Sequence, residues 1–540
     1  MGLVDSQNDN YLSGMTDPLH IWIEHERTSG RKRIQIENGR NRSICDDMEK
    51  KQGKPGITEY GYWIVFAAIV GLIIFLSFYK LDVKYVDPWD EARHGVNAYE
   101  MLHGGSLIQN TYLRQADYYN LKPPMSMWCI MLSMKLFGDT VFALRCYSAV
   151  CYVLLAIAVG LFARRYGRLE SLAAMTFLAC NSTPFQAHMI RSGDADSLYV
   201  LLFTLAMLAM MKVKDNVRYV YACGLLFSLA FLTKSFHAGI ILAIGGLYLM
   251  ITGDIKRMKP KHWAGFLTVV FVPILVWSLL RMRIDGTTFL KAMWETDVLG
   301  RTDGTLQNNI APFSYYFSYY FGASSGKTTV YLCALVICLL GAVLFSQKLA
   351  WCNRSEYIGY LLWGMLPFLA FSAVTNKLLW YVYPSLVALL MAAGIVLAKL
   401  MKEKNLLMAV KIALGLAAVC IVVHFVKAEI QVIESQEGNE FQNFICDAAQ
   451  LSGLQGCRVF VDYDTEHSDW SQQDVFVAQT AGDYECQNGG IMFLLTRDMY
   501  CGQEGLLFVG EEAYQAAPAL YDDCQIVTQT EEYRAYVISY

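Results

Sequence analysis

The feature that most constrains the fold is a run of twenty uncharged residues between Glu59 and Lys80, with the sequence YGYWIVFAAIVGLIIFLSFY. A helix rises about 1.5 Å per residue, so a run of this length crosses a hydrocarbon core of about 30 Å. It follows a polar segment that contains RTSGRKR, whereas a cleaved signal peptide stands at the N-terminus and has a shorter apolar core. The sequence therefore predicts a retained first transmembrane helix.

Ten further apolar segments follow, which makes about eleven spans in all. They cover residues 141–163, 169–190, 196–212, 218–235, 237–253, 263–281, 328–347, 357–376, 378–399 and 405–426. The composition agrees, because 55% of the residues are hydrophobic and only 17% are charged, unlike a soluble globular chain. The predicted fold is mainly α, a polytopic bundle of transmembrane helices over residues 60–426.

Lysine and arginine cluster in alternate connections between these segments. The basic connections are ARRYGR (163–168), KVKDNVR (212–218), DIKRMKPK (254–261), SQKLAWCNR (346–354) and KLMKEKN (399–405). Because such residues are in excess on the cytoplasmic side of a multi-pass cell-membrane protein, residues 1–59 are predicted to be a cytoplasmic N-terminal segment. The extracytoplasmic face then receives the outer loops 81–140 and 282–327 and the turns at 191–196, at Lys234 and at 375–381.

The C-terminal residues 427–540 form a separate, acidic region on that outer face. Residues 431–540 contain nineteen Asp or Glu, three Arg and no Lys. Short apolar runs bounded by turn-forming residues are typical of strands. These runs are RVFVDY, GIMFLLT, GLLFVG and EYRAYVIS. The sequence predicts a small extracytoplasmic α/β domain here.

Four charged or aromatic motifs come together on the predicted outer face. They are DPWDEARH (87–94), YYNLKPPMSMW (118–128), RSGDADSL (191–198) and TNKLLWYVYP (375–384). At headgroup level Lys122 or Lys377 can neutralise a lipid phosphate, and Asp90 can act as a general base toward a hydroxyl group. Taken singly, a loop acid is usually just solvated and an interfacial aromatic is usually a membrane anchor. Their recurrence on one face favours an active site.

Six ordered motifs carry a resemblance to a known family. They are WDEARHGVNAYEML with YYNLKPPMSMW, LFGDTVFALR (136–145), the R-x4-D-S-L pattern of 191–198, LTKSF (232–236) and NKLLWYVYP. This order resembles the membrane glycosyltransferases of the GT-C superfamily, in the branch of lipid A aminoarabinose transferases and protein O-mannosyltransferases. The resemblance covers residues 60–400. It implies an extracytoplasmic active site that takes a polyprenyl-phosphate-linked sugar and transfers it to an acceptor lipid, glycan or protein.

The resemblance also assigns roles to single residues of this chain. It implies that Asp90 is the general base, with Glu91 as its partner, and that Asp196 is the second acid. Residues implied to bind the donor phosphate are Lys122, Lys234, Lys377 and, as a weaker match, Arg301. Residues implied to line the donor or acceptor pocket are Tyr119, Tyr381, Tyr383 and Asp194, the last ranked below Asp196.

The metal requirement stays open at this point. In aminoarabinose transferases an acid precedes the lysine of KPP and takes part in metal binding, whereas this chain has Leu121 there. No motif demands a cofactor, because a lipid monophosphate can be neutralised by lysine and arginine alone. The alternative is a divalent metal ion held by Asp90 and Glu91 with other ligands, for which His94 and His188 are candidates.

Two other classes of function compete with a transferase. A secondary transporter also has eleven or twelve spans, but it places ionisable residues near the bilayer midplane between internal repeats, which this sequence lacks. A receptor or scaffold would need only a membrane anchor, whereas this sequence predicts about eleven spans. The sequence has no P-loop, no Rossmann glycine fingerprint, no G-x-S-x-G and no paired C-x-x-C motif. The basic RTSGRKRIQIENGRNR segment is a positive-inside and lipid-surface feature, so no nucleic-acid partner is expected.

Overall fold

The chain forms an α-helical bundle followed by a small sheet domain. The computed structural model describes residues 58–300, 309–322, 329–345, 354–404, 407–490, 502–522 and 524–539. All elements named below belong to one unit, residues 59–540.

The bundle and its loops contain sixteen α-helices among the described residues. In chain order they are α1 (Glu59–Phe78), α2 (Asp90–Leu102), α3 (Met125–Phe137), α4 (Val141–Ala163), α5 (Arg168–Ala179), α6 (Ser182–Gln186), α7 (Asp196–Met211), α8 (Tyr219–Lys234), α9 (Gly239–Thr252), α10 (Pro260–Asp285), α11 (Thr288–Trp294), α12 (Tyr315–Phe321), α13 (Thr329–Phe345), α14 (Arg354–Ala373), α15 (Tyr383–Lys402) and α16 (Met408–Glu434). The mainly helical fold predicted from the apolar segments is confirmed.

Six helical stretches of the described chain are long and apolar enough to cross a membrane. They are Glu59–Phe78, Val141–Tyr166, Tyr219–Thr252, Pro260–Asp285, Leu379–Lys402 and Met408–Glu434. The count of eleven spans stays a prediction, although a helix lies in each of the eleven apolar segments. The final helix continues eight residues past the predicted end at 426, because Ile430 and Ile433 extend its apolar spacing.

Burial distinguishes the centre of the bundle from its periphery. Helix α15 is almost wholly buried, whereas α10 and α16 present most of their apolar surface outward. Gly394 lets α15 approach α5 closely, since a Cβ there would lie 2.6 Å from the Cα of Ala174. Outward apolar surface on α10 and α16 suits contact with lipid rather than water.

The predicted outer loop 81–140 is largely folded. It contains α2, α3 and a short antiparallel hairpin of β1 (Thr111–Tyr112) with β2 (Gln115–Ala116). Ala92, Val96 and Tyr99 recur at helical spacing on the buried side of α2. This amphipathic spacing is the physical reason why a stretch predicted as a loop is a helix.

The C-terminal domain is α/β, as predicted. Its elements are α17 (Glu440–Ser452), β3 (Arg458–Asp462), α18 (Gln472–Gly482), β4 (Glu485–Cys486), β5 (Glu504–Gly510), α19 (Glu511–Ala516), β6 (Gln525–Gln529) and β7 (Tyr533–Ser539). The strand order is β4-β3-β5-β7-β6, parallel from β4 to β5 and antiparallel across β7 and β6. Three predicted runs form β3, β5 and β7; nearly all of GIMFLLT lies outside the described residues.

Candidate active site

Asp90, at the start of α2, meets a lysine from the segment just before α3. The Nζ of Lys122 donates to Oδ1 of Asp90 at 2.9 Å, across 32 residues of sequence. Both side chains remain partly exposed, Lys122 by 21% and Asp90 by 34%. A substrate can therefore reach a carboxylate and an ammonium group placed side by side.

A buried amide network holds the Lys122 segment. The Nδ2 of Asn110 donates to the carbonyl oxygens of Asn120 (2.7 Å) and Lys122 (3.0 Å). The Nδ2 of Asn120 in turn donates to Oδ1 of Asn97 on α2, at 2.7 Å. These bonds fix the lysine's backbone to the helix that carries Asp90.

Asp117 reinforces this attachment. Its carboxylate accepts from Nε and Nη2 of Arg93, and also from the backbone N–H groups of Tyr119 and Asn120. Burial disfavours the ionised form, but the Arg93 guanidinium and these further donors lower the pKa of Asp117 below its ordinary value. The ion pair therefore persists at neutral pH.

Glu91 faces away from Asp90, into the bundle. Its two carboxylate oxygens accept from Nε and Nη2 of Arg145 at 2.7 and 2.8 Å, and both side chains are only 1% exposed. The backbone N–H groups of Gly193 and Asp87 also donate to this carboxylate, each at 2.8 Å. Glu91 thus joins α2 to the 191–196 turn.

A second acid lies beside Asp90. Oδ2 of Asp194 is 2.8 Å from Nδ1 of His188 and accepts from Oγ of Ser192 at 2.8 Å. The His188 ring stacks on Trp380 with centroids 3.6 Å apart. Two of the four sequence motifs, 191–198 and 375–384, are therefore in contact through His188.

Three of these groups could hold a metal ion. Single ligand atoms of Asp90, His188 and Asp194 all lie within 4.8 Å of one another. The Oδ1 of Asp194 is buried and has no hydrogen-bond partner among the described residues. Two carboxylates and one imidazole suit a divalent cation such as Zn²⁺ or Mn²⁺. Such an ion would supply Lewis-acid chemistry at this point.

Lys234 forms a second charged cluster nearby. Its ammonium is paired with Asp196 in a buried salt bridge. It lies 5.6 Å from the ring centre of Tyr199 and 5.5 Å from that of Tyr381. The motifs LTKSF, RSGDADSL and NKLLWYVYP therefore converge here.

The protonation states at the mouth of the site follow from this geometry. Burial would raise the pKa of Asp90, but the Lys122 ammonium, together with His188, holds that pKa well below its usual range. Burial likewise opposes the charge of Lys122, yet the Asp90 carboxylate raises the lysine's pKa. Burial would also raise the pKa of Asp194, but the neighbouring His188 lowers it below its ordinary value. Burial and Lys122 lower the pKa of His94, which leaves it neutral.

Known proteins match the chain in sequence and in fold. Residues 121–277 match the family model described as dolichyl-phosphate-mannose-protein mannosyltransferase. Over 350 residues the chain is 27% identical to undecaprenyl phosphate-alpha-4-amino-4-deoxy-L-arabinose arabinosyl transferase of Serratia proteamaculans, and 26% identical to an uncharacterized protein of Aquifex aeolicus. The crystal structure of ArnT from Cupriavidus metallidurans bound to undecaprenyl phosphate superposes with a TM-score of 0.64 at 16% identity. That superposition covers 89% of this chain and 98% of ArnT.

The chain has the fold of ArnT.

The extent of these matches differs between sequence and structure. The sequence matches cover 62–63% of this chain and 59–66% of the length of the two relatives. The structural match covers nearly all of ArnT, so the likeness in fold extends well beyond the region of sequence identity. The multi-pass membrane character predicted from the apolar segments is confirmed.

The remaining predicted site residues lie in different surroundings. Tyr119 is 55% exposed at the mouth of the site, with its ring 6.1 Å from that of Trp89. Lys377 is buried, and its Nζ donates to the carbonyl oxygens of Ala311 and Val374. The hydroxyl of Tyr383 donates to the carbonyl oxygen of Ala187 at 3.0 Å. Arg301 lies outside the described residues.

Sequence reasoning gave too little weight to three side chains. Asp194, ranked below Asp196, is the acid nearest Asp90 and His188, whereas Asp196 is paired with Lys234. His188 adopts a left-handed backbone with φ of 53°, which is uncommon for a residue with a side chain. Arg145, the last residue of the LFGDTVFALR motif, received no role from the sequence, although it is the ion-pair partner of Glu91. Leu121 packs in an apolar cluster with Trp277 and Phe289, so no metal ligand stands in its place.

Proposed function

We propose that the protein is a membrane glycosyltransferase that moves one sugar from a polyprenyl phosphate to an acceptor. The observation that carries the proposal is the contact between Asp90 and Lys122, which places a base and a cation at one accessible point. The family model and the curated relative named for an undecaprenyl phosphate sugar support this donor class. Nothing in these comparisons supports the transporter alternative.

The two groups have complementary tasks in such a transfer. The acceptor hydroxyl oxygen bonds to the anomeric carbon, while its proton passes to the carboxylate of Asp90. The bond from the anomeric carbon to the phosphate oxygen breaks, and its electron pair stays on the phosphate. Lys122 then neutralises the additional negative charge, which is greatest after the transition state.

We assign the other residues by what they contact. Lys234, held by Asp196, supplies a second positive group for the phosphate, while Tyr381 lines the pocket beside it. Glu91 is a positioning residue, because its oxygens already accept four donors. Lys377 holds the 309–311 segment through its carbonyl contact with Ala311 rather than binding phosphate.

The proposed orientation follows the distribution of basic residues. The connections at 163–168, 212–218, 254–261 and 399–405 are cytoplasmic with residues 1–59, and the site lies on the other face. The acidic C-terminal domain shares that extracytoplasmic face. A polyprenyl-linked sugar and an acceptor lipid, glycan or protein would meet there.

The test is transfer by purified protein in nanodiscs. We expect that, from a panel of polyprenyl-phosphate sugars, at least one is consumed with release of polyprenyl phosphate and appearance of a glycosylated acceptor, as followed by mass spectrometry. Uptake of a solute into proteoliposomes without consumption of any lipid-linked sugar would contradict the proposal and favour the transporter.

A further inference from the structure

The C-terminal domain forms hydrogen bonds to the chain just before Asp90. The backbone N–H of Val86 donates to Oε1 of Gln442 at 3.0 Å, and Nε2 of Gln442 donates to the carbonyl oxygen of Val86 at 3.3 Å. Both residues are buried, Gln442 being 6% exposed. One side-chain amide from α17 therefore satisfies both backbone groups of a residue four positions before the proposed base.

The same domain also packs against the chain just after Asp90. Helix α18 packs on α2, and its Phe476 ring faces Gly95. A Cβ at position 95 would lie 2.6 Å from Cδ2 of Phe476, far inside contact distance. Glycine is thus required at position 95 by the approach of α18.

Two hydrogen bonds continue this contact along α2. The hydroxyl of Tyr99 donates to Oδ1 of Asp483 at 2.7 Å. Nε2 of Gln479 donates to Oε1 of Glu100 at 2.8 Å, within a buried contact. Helix α2 is therefore fixed to α18 over more than one turn.

Between these two contacts of the C-terminal domain, the backbone is strained. Trp89, the residue before Asp90, has φ of 70° and ψ of −113°. A bulky L-residue rarely adopts positive φ, and such a conformation persists only where the surrounding structure enforces it. The Trp89 side chain is 58% exposed, so its own packing does little to enforce this turn.

We propose that the C-terminal domain is the clamp that holds this strained turn and so aims the Asp90 carboxylate, with Gln442 and Phe476 as positioning residues for the transfer reaction. The role rests on the proposed function. Lys122 is held within its own segment by Asn110, and its link to α2 runs through Asn97, seven residues after Asp90. We therefore expect loosening of the turn at Trp89 to displace Asp90 more than Lys122. The expected signature is a loss of kcat with little change in the KM for the donor.

The experiment uses the full-length protein with Gln442→Leu, which keeps the side chain's size and removes both hydrogen bonds, and Gly95→Ala, which collides with Phe476. Gln525→Leu, at an exposed position on β6, is the matched control in the same domain. A displacement of about 1 Å costs on the order of 10²-fold in rate, so we expect kcat to fall ten- to a hundredfold in both variants. We expect the donor KM to stay within about twofold and the control to match wild type.

Hydrogen exchange separates this inference from the proposed function. Peptides covering residues 84–95 should exchange faster in Gln442→Leu and Gly95→Ala than in wild type or control, while peptides from helices α4 and α15 keep wild-type exchange. If both variants kept the wild-type exchange rate in those peptides and the wild-type kcat, the proposed positioning role of the C-terminal domain would be wrong. If the two variants exchanged faster but no form of the protein, wild type included, transferred a sugar, the C-terminal domain would still hold the turn. The proposed function would then be contradicted instead.

Discussion

Replacing Glu91 with glutamine leaves the positive charge of Arg145 buried without its counter-ion. The guanidinium donates to Glu91 through Nε and Nη2, and to the backbone carbonyl oxygens of Leu81, Lys84 and Tyr85. Removing one partner of a buried pair costs about 3–5 kcal/mol in the free energy of unfolding. Because three carbonyl acceptors remain, we expect the lower end, about 3 kcal/mol.

The assay is unfolding in detergent by denaturant, monitored by tryptophan fluorescence, with turnover measured in parallel per folded molecule. The double variant Glu91→Gln with Arg145→Met removes the stranded charge and should recover most of the lost stability. Folded Glu91→Gln should keep at least about a tenth of wild-type turnover, since Glu91 only positions α2. A variant of wild-type stability that has lost turnover entirely would refute this reasoning and make Glu91 part of the chemistry.

Three further predictions address the rest of the site. Lys122→Met should lower turnover. It should also move the acid limb of the pH profile of kcat/KM upward, because the cation that most lowers the pKa of Asp90 is then gone and that pKa rises. The control Lys135→Met, at an exposed position on α3, should leave the acid limb unchanged. Asn110→Leu should raise the donor KM several-fold by releasing the Lys122 backbone, and an unchanged KM would argue against the amide network. If Asp90, His188 and Asp194 bind a divalent ion, metal content measured by mass spectrometry should fall in His188→Ala and in chelator-treated wild type; equal metal content in all forms would count against that site.

The helical architecture could be predicted because the bilayer imposes it. A chain whose backbone groups must be satisfied in hydrocarbon forms helices wherever twenty or so apolar residues run together, as between Glu59 and Lys80. The meeting of Lys122 with Asp90 was also foreseeable, since alternating basic connections put both on one face. The helix Asp90–Leu102 was not foreseen, although its apolar spacing is visible in the sequence.

The finer assignments depend on contacts that sequence spacing does not encode. Asp194 and Asp196 stand two residues apart, and only the turn that begins α7 directs one toward His188 and the other toward Lys234. The Glu91–Arg145 pair joins residues 54 positions apart, so the adjacent acids Asp90 and Glu91 looked equivalent. Gly95 gave no signal at all, because its requirement comes from a ring in a distant domain.

The most direct test of the account is the turnover of Asp90→Asn with a polyprenyl-phosphate sugar donor. Asparagine keeps the shape of the side chain and cannot take the acceptor's proton, so turnover should fall by about 10²–10⁴-fold. Asp87→Asn, three residues earlier and paired with Lys84, is the matched control and should stay within about twofold of wild type. Wild-type turnover by folded Asp90→Asn would contradict the central claim.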